Sequence, residues 1–453
     1  MPMLTDPRTG GPRATPPISG QLEVDSVVAR ARKGFDAWSR LAAAERSRRM
    51  LRLAEAIDLR REDYVAAERA GTGKPLDHAQ AELEQAVDVL RFYAGAARAD
   101  LAPAGGRRIA GHESWVRWEP LGVVATIIPW NYPLLIAVWR LAPAICTGNA
   151  VVVKPALTTP ESAMLLTEDA TEALGEDILL VLPGDRETGR LLVRSSVDAI
   201  AFTGSKLGGL DVMVNAGLRR VSLELGGNAP AIVLPDAPYF TCQRLVDACT
   251  YNAGQSCAAP ARVITLRENH EQVVAELSRE LLTRDAGVDF GPLNNPDQLD
   301  RYDRILDESG AAERWDGGIR TTDAEAAGYW RPATLLASVP ADDITVREEV
   351  FGPTITVQAA SSVDSAIDMA NSMPQALSAS LWSTSISPLL SLAPRIEAGE
   401  VWINCHLEQT AELPHGGRRE SGTGTDLSVI ALSEYQRPKT VTASLSTTVR
   451  AGP

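Results

Sequence analysis

Two short runs hold side chains that could do covalent carbonyl chemistry. One is Gly254-Gln255-Ser256-Cys257, a cysteine beside small residues. The other is Glu224-Leu225-Gly226-Gly227, a glutamate before two glycines. A thiolate attacks a carbonyl carbon, and a carboxylate can later take a proton from the water that frees the product. Each run also has a plainer reading. Free cysteine is among the most buried residue types, and a Gly-Gly pair is a common turn. The two runs alone leave both readings open.

Four further runs carry polar groups at telling places. Pro129-Trp130-Asn131-Tyr132-Pro133 holds an asparagine stiffly. Its amide could donate to a developing oxyanion or cap a helix starting at Pro133. Lys154 ends the apolar run Val151-Val152-Val153. At the carboxyl end of a parallel strand it suits a cofactor hydroxyl or phosphate; a solvated strand end is the plainer reading. Phe202-Thr203-Gly204-Ser205 lies where a strand meets a helix, whose free N–H groups can hold a phosphate, although Ser205 also suits a simple N-cap. Glu348-Glu349-Val350-Phe351-Gly352-Pro353 sets a carboxylate and an aromatic before a turn, either for ribose hydroxyls or as a surface charge pair. No GxGxxG opens a helix. Gly71-Thr72-Gly73-Lys74 fails as a phosphate loop, because Glu68 stands at its first glycine position and Pro75 replaces the Ser/Thr.

The elements that must position these groups are legible in outline. Residues 24–59 read as a helix pair and residues 77–97 as another long helix. Residues 107–119 alternate in the manner of a hairpin, with Trp115 and Trp118 on an exposed ribbon of the kind that pairs with a partner subunit. From residue 122 short apolar runs alternate with helical segments. Strands at 123–128, 150–154, 178–182, 199–203 and 221–225 give an α/β pattern with a parallel sheet buried on both faces. A second series follows from residue 229, with strands at 231–234, 263–266, 354–357, 377–382 and 401–404. Two α/β domains of similar size are expected, with Glu224 and Cys257 at their junction, where ligand sites gather.

Composition sets the outer limits. The chain has 453 residues, room for two or three domains and a large core. Its 44 Lys+Arg against 58 Asp+Glu give a net charge of −14, which disfavours nucleic acid or an anionic membrane as main partner. The five cysteines are odd in number and irregular in spacing, without CxxC, and the five histidines form no HxxxH pattern. Neither a disulfide framework nor a metal site is expected, and a reducing cytoplasm fits. Residues 1–20, rich in Pro, Gly and Thr, read as a loose arm rather than a secretory signal. The most apolar stretch, 121–153, is interrupted by Pro129, Asn131, Pro133, Arg140 and Pro143, so no membrane span is expected.

Seven of these segments occur in the same order in one family. The chain resembles the NAD(P)-dependent aldehyde dehydrogenases through Pro129–Pro133, Lys154-Pro155, Phe202–Ser205, Glu224–Gly227, Gly254–Cys257, Glu349–Pro353 and residues 414–424, over about residues 24–441. The resemblance implies two Rossmann-type α/β domains plus a small β element for oligomerisation. Residues 21–226 would bind cofactor, with the oligomerisation hairpin near 106–119. Residues 227–413 would be catalytic, and residues 414–453 would return to the cofactor domain. It implies Cys257 as nucleophile, Glu224 as general base and Asn131 as oxyanion donor beside the Cys257 N–H. Lys154 would meet the adenosine ribose, Gly204 and Ser205 the pyrophosphate, and Glu349 the nicotinamide ribose, with Trp130 and Phe351 alongside. The partners implied are a small-molecule aldehyde and further copies of the chain in a homodimer or homotetramer.

Within the family the likeness is greatest to bacterial 4-aminobutyraldehyde dehydrogenases, through residues 91–98, 251–255, Pro414-His415-Gly416-Gly417 and 421–428. That implies Tyr132 and Trp139 as channel aromatics able to hold an ammonium, and an ω-aminoaldehyde as the narrower substrate. Several positions depart from the family. Leu157 stands where a glutamate often grips the adenosine ribose, which leaves the choice between NAD and NADP open, and Lys206 adds positive charge nearby. The start is short and lacks the family's extra strands before the first helix. Residues 285–292 are trimmed, and Arg418-Arg419-Glu420 is unusually polar. An aldehyde dehydrogenase-like scaffold with an impaired cofactor pocket, or a cofactor-free thiol hydrolase, are the competing readings.

Overall fold

A computed structural model describes residues 4–99 and 105–445. The α/β expectation is met by two parallel sheets joined end to end. The first holds Leu179–Val181, Ala150–Lys154, Val123–Ile127, Ala199–Gly204 and Arg220–Leu225, side by side in that order and all parallel. Counted from residue 123, the strand order is 3-2-1-4-5, the order of a dinucleotide-binding half. Alternate residues feed opposite faces, as a strand's two-residue period requires. Val124, Val151, Val153 and Ala201 pack with Trp38, Leu53 and Leu90 on one side. Val123, Ala125, Val152 and Ile200 pack with Val24 and Val28 on the other. Both faces are therefore covered, which is why the strands read as unbroken apolar runs.

The second sheet has seven strands: Glu313–Asp316, Thr334–Ala337, Thr354–Ala360, Pro260–Leu266, Ala229–Val233, Ser378–Trp382 and Glu400–Ile403. Only the first runs antiparallel to its neighbour. Residues 226–228 pass from one sheet to the other. The chain returns after residue 411, and residues 421–424 lie along the last strand of the first sheet, with Leu225 N donating to Ser421 O at 2.9 Å and Gly424 N to Leu223 O at 2.8 Å.

Three expectations need correction. The start of the chain is not a loose arm, nor is it without strands. Leu4–Thr5 pairs with Pro12–Arg13, and the turn between them is fastened to the second half of the molecule. Arg8 pairs with Glu325 at 2.6 Å, and the Trp330 indole donates to Arg8 O at 3.0 Å. Proline and glycine there shape a docked turn rather than disorder. The expected hairpin is a different pairing. His112–Pro120 runs antiparallel to Gln436–Ser444 over nine positions, whereas local pairing amounts to the single bridge Gly106–Ser114. The partner strand lies more than 300 residues away in sequence and could not be read from local alternation. A helix also spans Arg61–Thr72, between the expected helix pair and the long helix Leu76–Ala96. No helix among the described residues is long and apolar enough to cross a membrane.

Candidate active site

Cys257 sits just before the strand Pro260–Leu266, behind a tight turn, Tyr251–Gly254, in which Asn252, Ala253 and Gly254 all take positive φ. Gly254 permits the turn's closest contact, since a Cβ there would lie 2.1 Å from Gly352 O. The turn and the Glu349–Pro353 loop thus interlock. Phe351, also at positive φ, is held by Gln298 Nε2 donating to its carbonyl at 2.7 Å. Its ring meets Trp130 edge-on at 5.5 Å.

Asn131 is locked to the same turn. Its Nδ2 donates to Gln255 O at 2.9 Å, Asn252 Nδ2 donates to Asn131 O at 2.9 Å, and Lys74 Nζ donates to that carbonyl at 3.2 Å. An amide nitrogen carries two hydrogens, so one remains for another acceptor. Lys74, which failed as a phosphate-loop lysine, is fully buried against Glu82 and within 3.9 Å of Glu68. Both carboxylates also accept from the helix that follows Asn131, at Leu134 N (3.1 Å) and Leu135 N (3.3 Å). This cluster fixes the asparagine loop from below. Should Asn131 donate to a developing oxyanion, its replacement by alanine costs about 10²–10³ in kcat, and losing the buried bond to Gln255 O lowers the melting temperature as well; steady-state kinetics and thermal denaturation check both halves.

Glu224 lies in the last strand of the first sheet, 3 % exposed, with its carboxylate facing the Gly417 N–H. Burial pushes its carboxyl well above the ordinary range. Arg140 and His415 pull it back, and Asp426 adds to the rise. Arg140 is itself buried, 3.2 Å from Asp426 and bonded to Ser222 Oγ at 2.9 Å and Thr203 Oγ1 at 3.0 Å. Arg140, Asp426 and Glu400 were not singled out as site residues from sequence, and His415 appeared only within a motif. An isolated buried charge leaves no periodic signature.

Two openings flank the asparagine loop. One, about 870 Å³, is lined by Trp130, Lys154, Leu157, Arg186, Gly204, Ser205 and Phe202. It lies outside the carboxyl ends of strands 123–127 and 199–204, the point where strand order reverses and dinucleotides bind. Lys154 is not a solvated strand end. It is 6 % exposed, donates to Pro155 O at 2.7 Å, and burial draws its pKa down to about 8. Ser205 caps the helix Lys206–Ala216, accepting from Gly208 N at 3.2 Å, while also lining the cleft. Lys206 does not line this cleft; it is spent on Glu420 at 2.7 Å, and Arg186, Arg190 and Arg301 are the arginines there.

Glu349 is partly reachable from solvent but crowded by protein, which raises its carboxyl to about 7 against the Gly227 N–H it accepts at 3.1 Å. Gly226 makes room for it, since a Cβ there would lie 2.1 Å from Oε2. Glu348, by contrast, makes a surface pair with Arg304 at 3.1 Å. A dinucleotide suits this set: free helix N–H groups for phosphate, a lysine, and a carboxylate cradled by glycine.

The second opening, about 560 Å³, is lined by Tyr132, Trp139, Tyr251, Cys257, Glu408 and Gln409. The two openings flank the asparagine loop, with Trp130 lining one and Tyr132 the other, and the second reaches the Cys257 thiol; a thiol and an amide donor locked to one turn could act on a carbonyl. The model of the aldehyde dehydrogenase family matches residues 3–441, and the chain belongs to that family. It is 34 % identical over 446 residues to the betaine aldehyde dehydrogenase of Bacillus subtilis, covering 94 % of this chain and 91 % of that one. It is 32 % identical over 461 residues to retinal dehydrogenase 2 of Rattus norvegicus, covering 98 % and 88 %. Among solved structures, betaine aldehyde dehydrogenase of Staphylococcus aureus with NAD+ superposes with TM-score 0.94 at 27 % identity, covering 99 % and 92 %. The aldehyde dehydrogenase KauB of Pseudomonas aeruginosa gives 0.93 at 30 %, covering 98 % and 93 %. The protein is an oxidoreductase that converts aldehydes to acids with NAD(P).

Proposed function

We propose that Cys257 is the nucleophile, Asn131 the oxyanion donor and Glu224 the general base of this reaction, and that the substrate is a small aldehyde with a cationic end. The observation that carries it is an accessible thiol, Cys257, on the wall of the second opening and on the turn to which Asn131 is locked. Cys257 Sγ bonds to the carbonyl carbon, and the free Asn131 amide hydrogen, with the Cys257 N–H, steadies the oxygen. Loss of the carbonyl hydrogen as hydride, for which a bound nicotinamide supplies the acceptor, leaves a thioester on Cys257. Glu224 then takes a proton from water, which cleaves the thioester and frees the acid.

The channel supports a cationic substrate. Tyr132, Tyr251 and Trp139 supply aromatic faces, and Glu408 a carboxylate. Lys74 Nζ already stands 4.8 Å from the Tyr132 ring centre and His415 packs on Trp139, so Tyr251 and Glu408 are the better holders. Two similar proteins are named for betaine aldehyde, and an ω-aminoaldehyde such as 4-aminobutyraldehyde is the narrower reading. Both nucleotides are accepted on this proposal, because Leu157 offers no carboxylate to repel a 2′-phosphate and Arg186 can face one. The ribbon of His112–Pro120 and Gln436–Ser444, with Trp115 and Val116 about two-fifths exposed, is proposed as the contact between copies in a homodimer or homotetramer.

The test is cofactor reduction with NAD and with NADP across 4-aminobutyraldehyde, betaine aldehyde and neutral aliphatic and aromatic aldehydes. The cationic aldehydes should lead in kcat/KM by about tenfold, as ~1.4 kcal/mol of cation–π and charge attraction implies. No reduction with any aldehyde overturns the dehydrogenase reading. Equal values for cationic and neutral aldehydes of one length overturn only the substrate class.

Glu349 adds a pH signature. Only the ionised carboxylate accepts from ribose hydroxyls on both oxygens with charge-assisted strength, and its raised pKa of about 7 puts protonation within reach. The cofactor KM should therefore rise as pH falls through about 7. In E349Q it should be higher and flat across the same interval. A KM that rises equally in E349Q assigns the dependence elsewhere.

A further inference from the structure

His415 and Glu400 have no part in the roles above, yet His415 is buried and Glu400, partly buried, is paired with it. The His415 ring packs on Trp139 at 5.2 Å, and its backbone is tied to Asp426 in both directions, at 2.8 Å and 2.6 Å. Its Nδ1 lies 2.9 Å from Glu400 Oε2. A carboxylate only accepts, so Nδ1 carries a hydrogen. Gln409 Nε2, 3.0 Å from the same nitrogen, also lies 3.4 Å from Glu400 Oε2, and its donation belongs there. That leaves Nε2 turned away from Glu400; Trp139 and Gln409, which flank the ring, line the same opening as Cys257, and the thiol is within hydrogen-bonding reach of the imidazole.

We propose that His415 is a further catalytic residue that takes the Cys257 thiol proton on Nε2, and that Glu400 is the positioning residue that holds its ring for this. The proposal rests on Cys257 being the nucleophile. The S–H bond breaks, an N–H bond forms at Nε2, and the electron pair stays on sulfur. The imidazolium remains beside the sulfur through addition and thioester formation. Hydrolysis returns a thiolate to it, and the proton Glu224 took from water is the one passed to solvent.

The charges around the ring favour this state. Burial opposes a charge on His415, but Cys257 and Glu400 outweigh it and hold the imidazole well above its ordinary range. Glu224 and Asp426 face the same ring and are lowered by its charge. Arg140, the opposing cation, is occupied by Asp426 at 3.2 Å.

The test is alkylation of Cys257 by iodoacetamide without aldehyde or cofactor, read as the modified peptide by mass spectrometry across pH. An ordinary thiol would give an inflection near ~8.5. The wild-type inflection should lie well below it. H415N should move it up by about 1–3 pH units, the usual effect of losing an adjacent opposite charge, and E400Q should move it in the same direction. H415F, which keeps a ring against Trp139, should match H415N and so separates charge from packing. Should H415N not fold, H415F and E400Q carry the same comparison. Inflections unchanged in these variants overturn the role of His415. Aldehyde oxidation that persists at wild-type rate in C257S overturns the underlying reading of Cys257 instead.

Discussion

Replacing Cys257 by alanine is expected to lower aldehyde oxidation by at least about 10⁴-fold while leaving the nucleotide cleft intact. Loss of a nucleophile removes every step that follows it, and nucleophile knockouts in other enzymes reach that scale or beyond. The other thiols offer no substitute. Burial pushes Cys146, Cys242 and Cys249 up to about 12, so none forms a thiolate near neutral pH. Cys405 is half-buried and also raised, by burial and then by Glu408. Stopped-flow cofactor reduction and calorimetric titration with NAD and NADP check the two halves together. A C257A protein that binds nucleotide normally yet still oxidises aldehyde would remove the thiol from the reaction.

Replacing Glu224 by glutamine is the second large effect, and its form differs. Attack and oxidation do not need a base for water, so one equivalent of reduced cofactor per site should appear in a rapid burst. Release of the acid should then slow by about 10²–10⁴, the usual contribution of a general base. Intact-mass spectrometry should find the acyl group on Cys257. The wild-type protein should show the matching pH dependence. Because burial holds Glu224 well above the ordinary carboxylate range, its base form is gained as pH rises through that elevated value. Acid release should climb over that interval, and the climb should vanish in E224Q. Wild-type turnover in the variant would place the base elsewhere.

What could be read beforehand follows from how each feature is encoded. Strands such as Ala150–Lys154 and Val123–Ile127 are buried on both sides, so their apolar runs announced them. Glu224, Asn131 and Cys257 lie within three residues of glycine or proline, which marked their runs, but those runs left two readings open and only the family resemblance implied their roles. The helix Arg61–Thr72 was missed because its residues are largely charged or small, with few apolar residues to mark a face. The ribbon was misread because its partner strand is far off along the chain. Lys206 was misjudged because the glutamate that neutralises it lies 214 residues away. The same limit hid Glu400, Arg140 and Asp426. Their meaning lies in pairing across elements, and no spacing records it.

The docked amino-terminal turn has a mechanical consequence. Arg8 reaches Glu325 in the seven-stranded half, while Arg13 pairs with Glu161 and donates to Thr158 O at 3.1 Å in the five-stranded half. Leu4 and Thr5 lie along the lip of the nucleotide cleft between them. The segment is thus a clasp, fastened to one half at Arg8 and to the other at Arg13, with the cleft's rim running beneath it.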